Sequence, residues 1–264
     1  MGEARSTGRA AADSVRVTNP GGRGVYVLTC EHASNALPPE YGTLGLPESE
    51  LSRHIAWDPG AVAVARRMAE MLDAVLVEAG LSRLVIDCNR ALDAPDLIPS
   101  VSETTAIPGN ANLSAAEREA RVERGWRPFH DTIEATIRER LAAGRETRLV
   151  SVHSFTPVFK GVGRPWHVAV VHDDDERLSA PLIAALKRSG EFTVGVNQPY
   201  SPADRVYFTL QKHARSRGIP CAMIEIRSDG IGDEAGQAAW AARLAAALAG
   251  IGTLAEPAGQ AGSA

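Results

Sequence analysis

Short apolar runs alternate along the chain with segments whose apolar positions recur at helical spacing. Residues 25–29 (VYVLT) read as a buried strand. Residues 59–72 read as a helix, with Asp58 in the N-cap position and Pro59 in the first turn. Residues 74–77 and 84–87 (LVID) read as two further strands. Ser114 caps a helix over 115–125, with Glu117 at capping-box spacing, and a second helix runs from near 128 to 143. Strands follow at 148–153 and 166–172, a helix at 179–187, an extended piece at 194–196, and a helix at 204–217 that stops at Gly218. A strand at 221–226 (CAMIEI) and an Ala-rich helix at 233–248 complete the pattern. Nearly uncharged strands alternating with helices predict a three-layer α/β fold, a mostly parallel central sheet with helices on both faces.

Two segments break the rhythm. Residues 92–112 carry Pro95, Pro99 and Pro108 with little periodicity, and 155–165 have the same character. Loops of this length in a compact domain are often functional. No repeat or linker divides the chain, so one domain over 18–252 is expected, between tails at 1–17 and 253–264.

Composition narrows the class. Of 264 residues, 44% are hydrophobic and 23% charged, enough apolar material for a sizeable core. The net charge of -4 and the lack of a basic run argue against nucleic acid as a partner. No stretch has the length and apolarity of a membrane span, and residues 1–16 lack the apolar core of a secretory signal. Three cysteines, Cys30, Cys88 and Cys221, end apolar runs without close pairing. They read as small buried hydrophobes in a reducing compartment, which places the protein in the cytoplasm.

In open α/β sheets ligands bind beyond the carboxyl ends of the strands, so the residues found there matter most. The first strand is followed by Glu31, His32, Ser34 and Asn35, and the LVID run by Asn89 and Arg90. His153 and Ser154 close the 148–153 run, and Glu225 lies inside the 221–226 run. Two histidines, an acid at a helix start and a free glutamate match a catalytic zinc, which takes three N/O ligands and keeps one position open. No HExxH or CxxC supports this by spacing. Each residue also has a plainer reading. Asp58 taken alone is better explained as a helix cap than as a ligand. His54, His167, His172 and His213 read as hydrogen-bonded structural histidines. Arg90 fits either an ion pair or the bidentate capture of a substrate carboxylate. Glu225 is harder to explain structurally, because an unpaired buried carboxylate is costly.

The segments Glu31-His32-Ala33-Ser34-Asn35, Trp57-Asp58, Ser82 to Arg90, Arg127-Pro128-Phe129-His130, Val152-His153-Ser154 and Glu225-Ile226-Arg227 resemble, in order, the N-formylglutamate amidohydrolase family. The resemblance covers about 25–250, and its most specific motif is Ser-Arg-x-x-x-Asp-x-Asn-Arg. It implies a phosphorylase/hydrolase-like mixed sheet with an antiparallel component, distantly similar to zinc carboxypeptidases and zinc cell-wall amidases. It further implies zinc on His32, Asp58 and His153, and Glu225 as the catalytic carboxylate. Asn89 and Arg90 would hold a substrate carboxylate, with Ser154 and Asn35 also in the substrate pocket. The sequence departs from better-known members at 31–35 and 57–60 and is shorter between His172 and Asn197.

The expected reaction is hydrolysis of the amide of an N-acyl amino acid such as N-formyl-L-glutamate, a step that would serve histidine degradation. Glu225 would move the proton, and Arg83 or His130 would stabilise the oxyanion. Other divalent ions also suit such ligands. Rival readings are an amidase for another N-acyl amino acid or peptide, and a non-catalytic carboxylate-binding protein of the same fold. A nucleotide-binding protein lacks the glycine-rich phosphate loop after the first strand.

Overall fold

The structure, a computed structural model, describes residues 13–254. Its elements in chain order are β1 (Val15–Thr18), β2 (Tyr26–Cys30), α1 (Glu48–Leu51), α2 (Ala61–Met71), β3 (Val75–Ala79), β4 (Val101–Ser102) and β5 (Thr105–Ala106). Next come α3 (Ala115–Arg121), a π turn (Val122–Trp126), α4 (Arg127–Ala142), β6 (Arg148–Phe155), β7 (Val158–Phe159), β8 (Val162–Gly163) and β9 (Val168–Val171). The chain ends with α5 (Ser179–Lys187), β10 (Val194–Val196), α6 (Phe208–His213), β11 (Cys221–Arg227) and α7 (Glu234–Ala249).

Seven strands form one sheet in the order β1-β3-β2-β6-β11-β9-β10. The four central strands β3, β2, β6 and β11 run parallel. β1 pairs antiparallel with β3, and β9 antiparallel with β11, so the sheet is mixed as the resemblance implied. Side chains alternate across it. Leu28, Leu76, Val150 and Ile224 pack with α2, α5 and α7 on one face. Val27, Val77, Leu149 and Met223 pack with α4 and α6 on the other. Both faces are therefore covered, and the central strands are apolar on both sides.

Three expectations need correction. Residues 15–17, assigned to a tail, belong to β1, where Val15 pairs with Ala79 and Val17 with Val77. The remainder of that tail up to residue 12, and 255–264, lie outside the described residues. The LVID run is not a strand. Leu84, Val85 and Ile86 turn into a third cluster with Leu37, Leu97, Ile107 and Trp126. The helix expected over 204–217 shortens to α6 and a 3-10 turn at Arg215–Arg217, closed by Gly218 at φ 66°. The helices over 115–125 and 128–143 join through the π turn, and Ser114 with Glu117 forms the capping box.

The third cluster gives the irregular segment 92–112 a core of its own. Asn110 donates to the carbonyls of Leu84 and Pro99, and buried Arg121 donates to Val85, Gly109 and Asn110. These bonds satisfy a buried loop backbone that no sheet or helix pairs.

Candidate metal centre and active site

Three neighbouring strands bring the site together. His32 follows β2 by two residues, His153 lies in β6, and Glu225 in β11 stands directly opposite His153. Val152, Ile224 and Ile226 face the first core cluster. Strand alternation therefore turns His153 and Glu225 to the opposite side.

Asp58 arrives from the loop before α2. It does not cap that helix: Gly60 occupies the N-cap position, with φ 82°. A Cβ at Gly60 would stand 2.4 Å from the carbonyl oxygen of Ile231, so both conformation and space call for glycine. The Asp58 backbone N–H donates to the His32 carbonyl, and its carboxylate points to the sheet ends. Its Oδ2 lies 2.8 Å from His153 Nδ1 and 3.3 Å from His32 Nδ1. Ligand atoms of His32, Asp58 and His153 all fall within 4.8 Å of one another, and all three residues are buried.

The outer ring nitrogens also meet carboxylates. His32 Nε2 lies 2.7 Å from Asp87 Oδ1. His153 Nε2 lies 3.1 Å from Glu31 Oε2, ion-pair distance without hydrogen-bond alignment. Glu31 is fixed by Thr29 and Ser151, and Asp87 by Arg83 and the Asn89 N–H. Such outer carboxylates orient metal-binding imidazoles and raise their basicity. Glu31 and Asp87 were on the page as sequence, yet received no role, because that role depends on which ring nitrogen faces inward.

The charges explain the titration behaviour. Burial works against ionised Asp58, but His32 and His153 outweigh it and hold its carboxyl below the usual range. Burial would also neutralise His153, yet Glu31 and Asp58 keep it well above the ordinary histidine value. Glu31 is lowered to about 2 against its burial, chiefly by His153. Glu225 goes the other way. Burial pushes it up to about 7 against the pull of His153, and Asp58 adds to the rise. Its Oε2 is buried without a hydrogen-bond partner.

The donor set fits a divalent cation. Each histidine has a carboxylate at both ring nitrogens, an arrangement that demands positive charge in the middle. Two imidazole Nδ1 atoms and one carboxylate oxygen form a borderline N/O set of the kind zinc takes.

These residues floor a cleft of about 190 Å³ that also exposes Arg83, Asn89, Arg90, Ser154, Glu225, Phe159 and Tyr200. The β4–β5 hairpin contributes Ser102 and Glu103 to its wall, and Glu103 is tied to Arg53 at 2.8 Å. Arg83 bonds Asp87 at 2.7 Å and stands 3.6 Å from Asp58. Arg90 is held by Asp96 at 2.8 Å and by the Asn89 carbonyl. Asn89 uses its side chain on the fold, donating to the Val206 carbonyl and accepting from the Thr209 N–H. Ser154 likewise donates its hydroxyl to the Pro59 carbonyl. A larger depression of about 430 Å³ between α5 and α7 has no histidine or carboxylate in its lining.

Two expected site residues stay apart from this cleft. Asn35 donates to the Leu51 carbonyl and lines a separate depression beside Trp57 and Arg66. His130 is buried on α4, bonded to His213 and the Cys88 carbonyl. His54 lines the cleft, 3.5 Å from Glu103.

The N-formylglutamate amidohydrolase profile matches residues 25–232, most of the described chain. The protein belongs to this amidohydrolase family. A gene product of Agrobacterium tumefaciens with a known crystal structure is 46% identical, with a TM-score of 0.88 over 90% of this chain and 94% of that one. N-formylglutamate amidohydrolase from Ralstonia eutropha shares the fold at 18% identity, with a TM-score of 0.64 over 89% and 95% of the two chains. A metallo-carboxypeptidase from Burkholderia cenocepacia is more distant, at 12% identity and a TM-score of 0.38 over 89% and 64%. No curated protein matches the sequence. No described helix is long and apolar enough to cross a membrane.

Proposed function

We propose that the protein is a zinc-dependent amidohydrolase that removes the acyl group from a small N-acyl amino acid, with N-formyl-L-glutamate as the first candidate. The observation that carries this reading is the pair of inward Nδ1 atoms on Asp58, each backed by an outer carboxylate and set beside the unpartnered Glu225. His32, Asp58 and His153 would hold the ion, which supplies Lewis acidity to the acyl carbonyl and acidifies a water. Glu225, with an acidity near neutral, takes a proton from the attacking water and returns it to the departing amine nitrogen. Arg83 holds Asp87 and offsets the charge of Asp58. Arg90 lines the cleft, and its Nη2 has no hydrogen bond among the described residues, which leaves it for the substrate carboxylate. Asn89 and Ser154 act by holding the walls. A cleft of about 190 Å³ suits a small amide better than a peptide. The three free, buried cysteines fit a reducing cytoplasmic setting. The catalytic domain runs from β1 through α7.

The test pairs metal analysis with Glu225→Gln. About one zinc per chain should remain, while turnover of N-formyl-L-glutamate falls at least about a thousandfold, or about 4 kcal/mol of barrier. Activity within tenfold of the parent protein would remove Glu225 from the proton-transfer step.

A further inference from the structure

One polar side chain in the cleft has no role so far. Tyr200 lies in the loop after β10, half-buried, with its ring packed against the second core cluster. The loop is pinned to the sheet, because Asn197 N–H donates to the Val170 carbonyl and Asn197 Oδ1 accepts from the His172 N–H. Arg164 sits over the Tyr200 ring, 4.9 Å from its centroid, and its positive charge acts on the phenol. Arg164 is itself buried, stacked also on Phe159 at 4.6 Å, and its backbone is fixed by bonds to Pro157 and Arg227.

A guanidinium carries no acceptor, so Arg164 cannot take the phenol proton, and no acceptor among the described residues does. Tyr200 lines the same cleft as His32, Asp58, His153 and Glu225, and the charges of Glu225 and Arg83 act on its phenol. Of the other donors lining the cleft, Arg83 is tied to Asp87, Asn89 to Val206 and Ser154 to Pro59, while the free Nη2 of Arg90 is left to the substrate carboxylate.

We infer that Tyr200 is a catalytic residue whose hydroxyl, oriented by Arg164, donates a hydrogen bond to the acyl oxygen as that oxygen gains negative charge. This rests on the amidohydrolase reading above. The role is the one that sequence reasoning gave to Arg83 or His130; Arg83 is bonded to Asp87, and the fold buries His130 elsewhere. A donor fixed before reaction and aimed at developing charge stabilises the transition state more than the bound substrate. Burial, the largest influence, holds the phenol above its ordinary value, so it remains a donor through the neutral range.

Tyr200→Phe keeps the ring under Arg164 and removes only the hydroxyl. With N-formyl-L-glutamate and the zinc-loaded protein, kcat should fall ten- to a hundredfold while KM stays within threefold. A second readout is binding, by calorimetry, of an H-phosphinate carrying tetrahedral phosphorus in place of the formyl carbon. Its affinity should fall by the same factor. An unchanged kcat, or a loss confined to KM, would overturn the assignment. If the parent protein hydrolyses no N-formyl amino acid, the proposed reaction fails and the phosphinate alone decides. Weaker binding to the variant then upholds the donor role, and equal binding overturns it. Arg164→Met should reproduce part of the kcat loss, because the phenol loses the partner that orients it.

Discussion

Two pairs of buried histidines have nearly the same ring separation and opposite surroundings. The His32 and His153 rings are 4.9 Å apart, and the His130 and His213 rings 5.1 Å apart. The first pair has carboxylates at its ring nitrogens, from Asp58, Asp87 and Glu31. The second pair faces itself, the Cys88 carbonyl and, at 3.5 Å, the half-exposed Glu134, with Lys212 and Arg217 nearby. Accordingly His153 is held toward its charged form, while burial drives His130 to about 3 and His213 to about 4. Proximity of imidazoles is thus insufficient for a metal site. What matters is which nitrogens converge and what stands behind the others.

The sharpest way to break this comparison is to exchange the roles by mutation. His153→Ala should abolish zinc binding, read by elemental analysis, and turnover with it. His213→Ala should keep the zinc and leave kcat within threefold. Its cost falls on stability, about 1–3 kcal/mol in a denaturant titration, because His130 Nδ1 loses its buried partner. Zinc lost from the second variant would mean that the clusters are coupled.

A smaller effect probes the outer carboxylates. Glu31→Gln leaves every proposed ligand in place and should weaken zinc binding by about ten- to a hundredfold in a chelator competition. Affinity unchanged in that variant would remove Glu31 from the centre.

The smallest effect concerns acid. The folded values of His130 and His213 lie below the ordinary 6.5 of an unfolded chain. Their contribution is complete above about pH 6.5 and is lost as pH falls toward the folded values, since the unfolded chain takes up protons first. Stability is therefore lost progressively between pH 7 and pH 4. This loss should shrink in His213→Gln, measured as the difference between parent and variant stability at the two pH values. A parallel pH dependence in both proteins would contradict the neutral pair.

How much of this was legible in the sequence follows from where each signal resides. The runs that became β2, β6 and β11 are nearly uncharged and bounded, and their carboxyl ends delivered His32, His153 and Glu225. LVID has the same local pattern, but its side chains fill the third cluster instead. A short apolar run does not separate these outcomes. β1 was hidden because four residues next to an Arg- and Ala-rich stretch become a strand only through pairing with β3. Asp58 was ambiguous between cap and ligand, and the deciding residue was Gly60, whose positive φ takes the cap position. Tyr200 carried no local signature, and Asp87 stood in the family-like motif without an assigned role. Their placement depends on contacts with Arg164 and His32, far away in the chain.

The π turn at Val122–Trp126 has a mechanical consequence. Arg121 just before it and Val122 at its start serve the cluster beneath segment 92–112, and after it, Phe129, Ile133 and Ile137 serve the sheet. The wider turn sets the phase between these two stripes and aims the Trp126 indole at the Arg90 carbonyl, 2.8 Å away. Deleting a single residue there would rotate one half against the other by about 100°, so only one stripe would keep its partner. The rod acts as a keyed shaft between the cleft wall and the sheet, and sequence length within those five residues is as constrained as their identity.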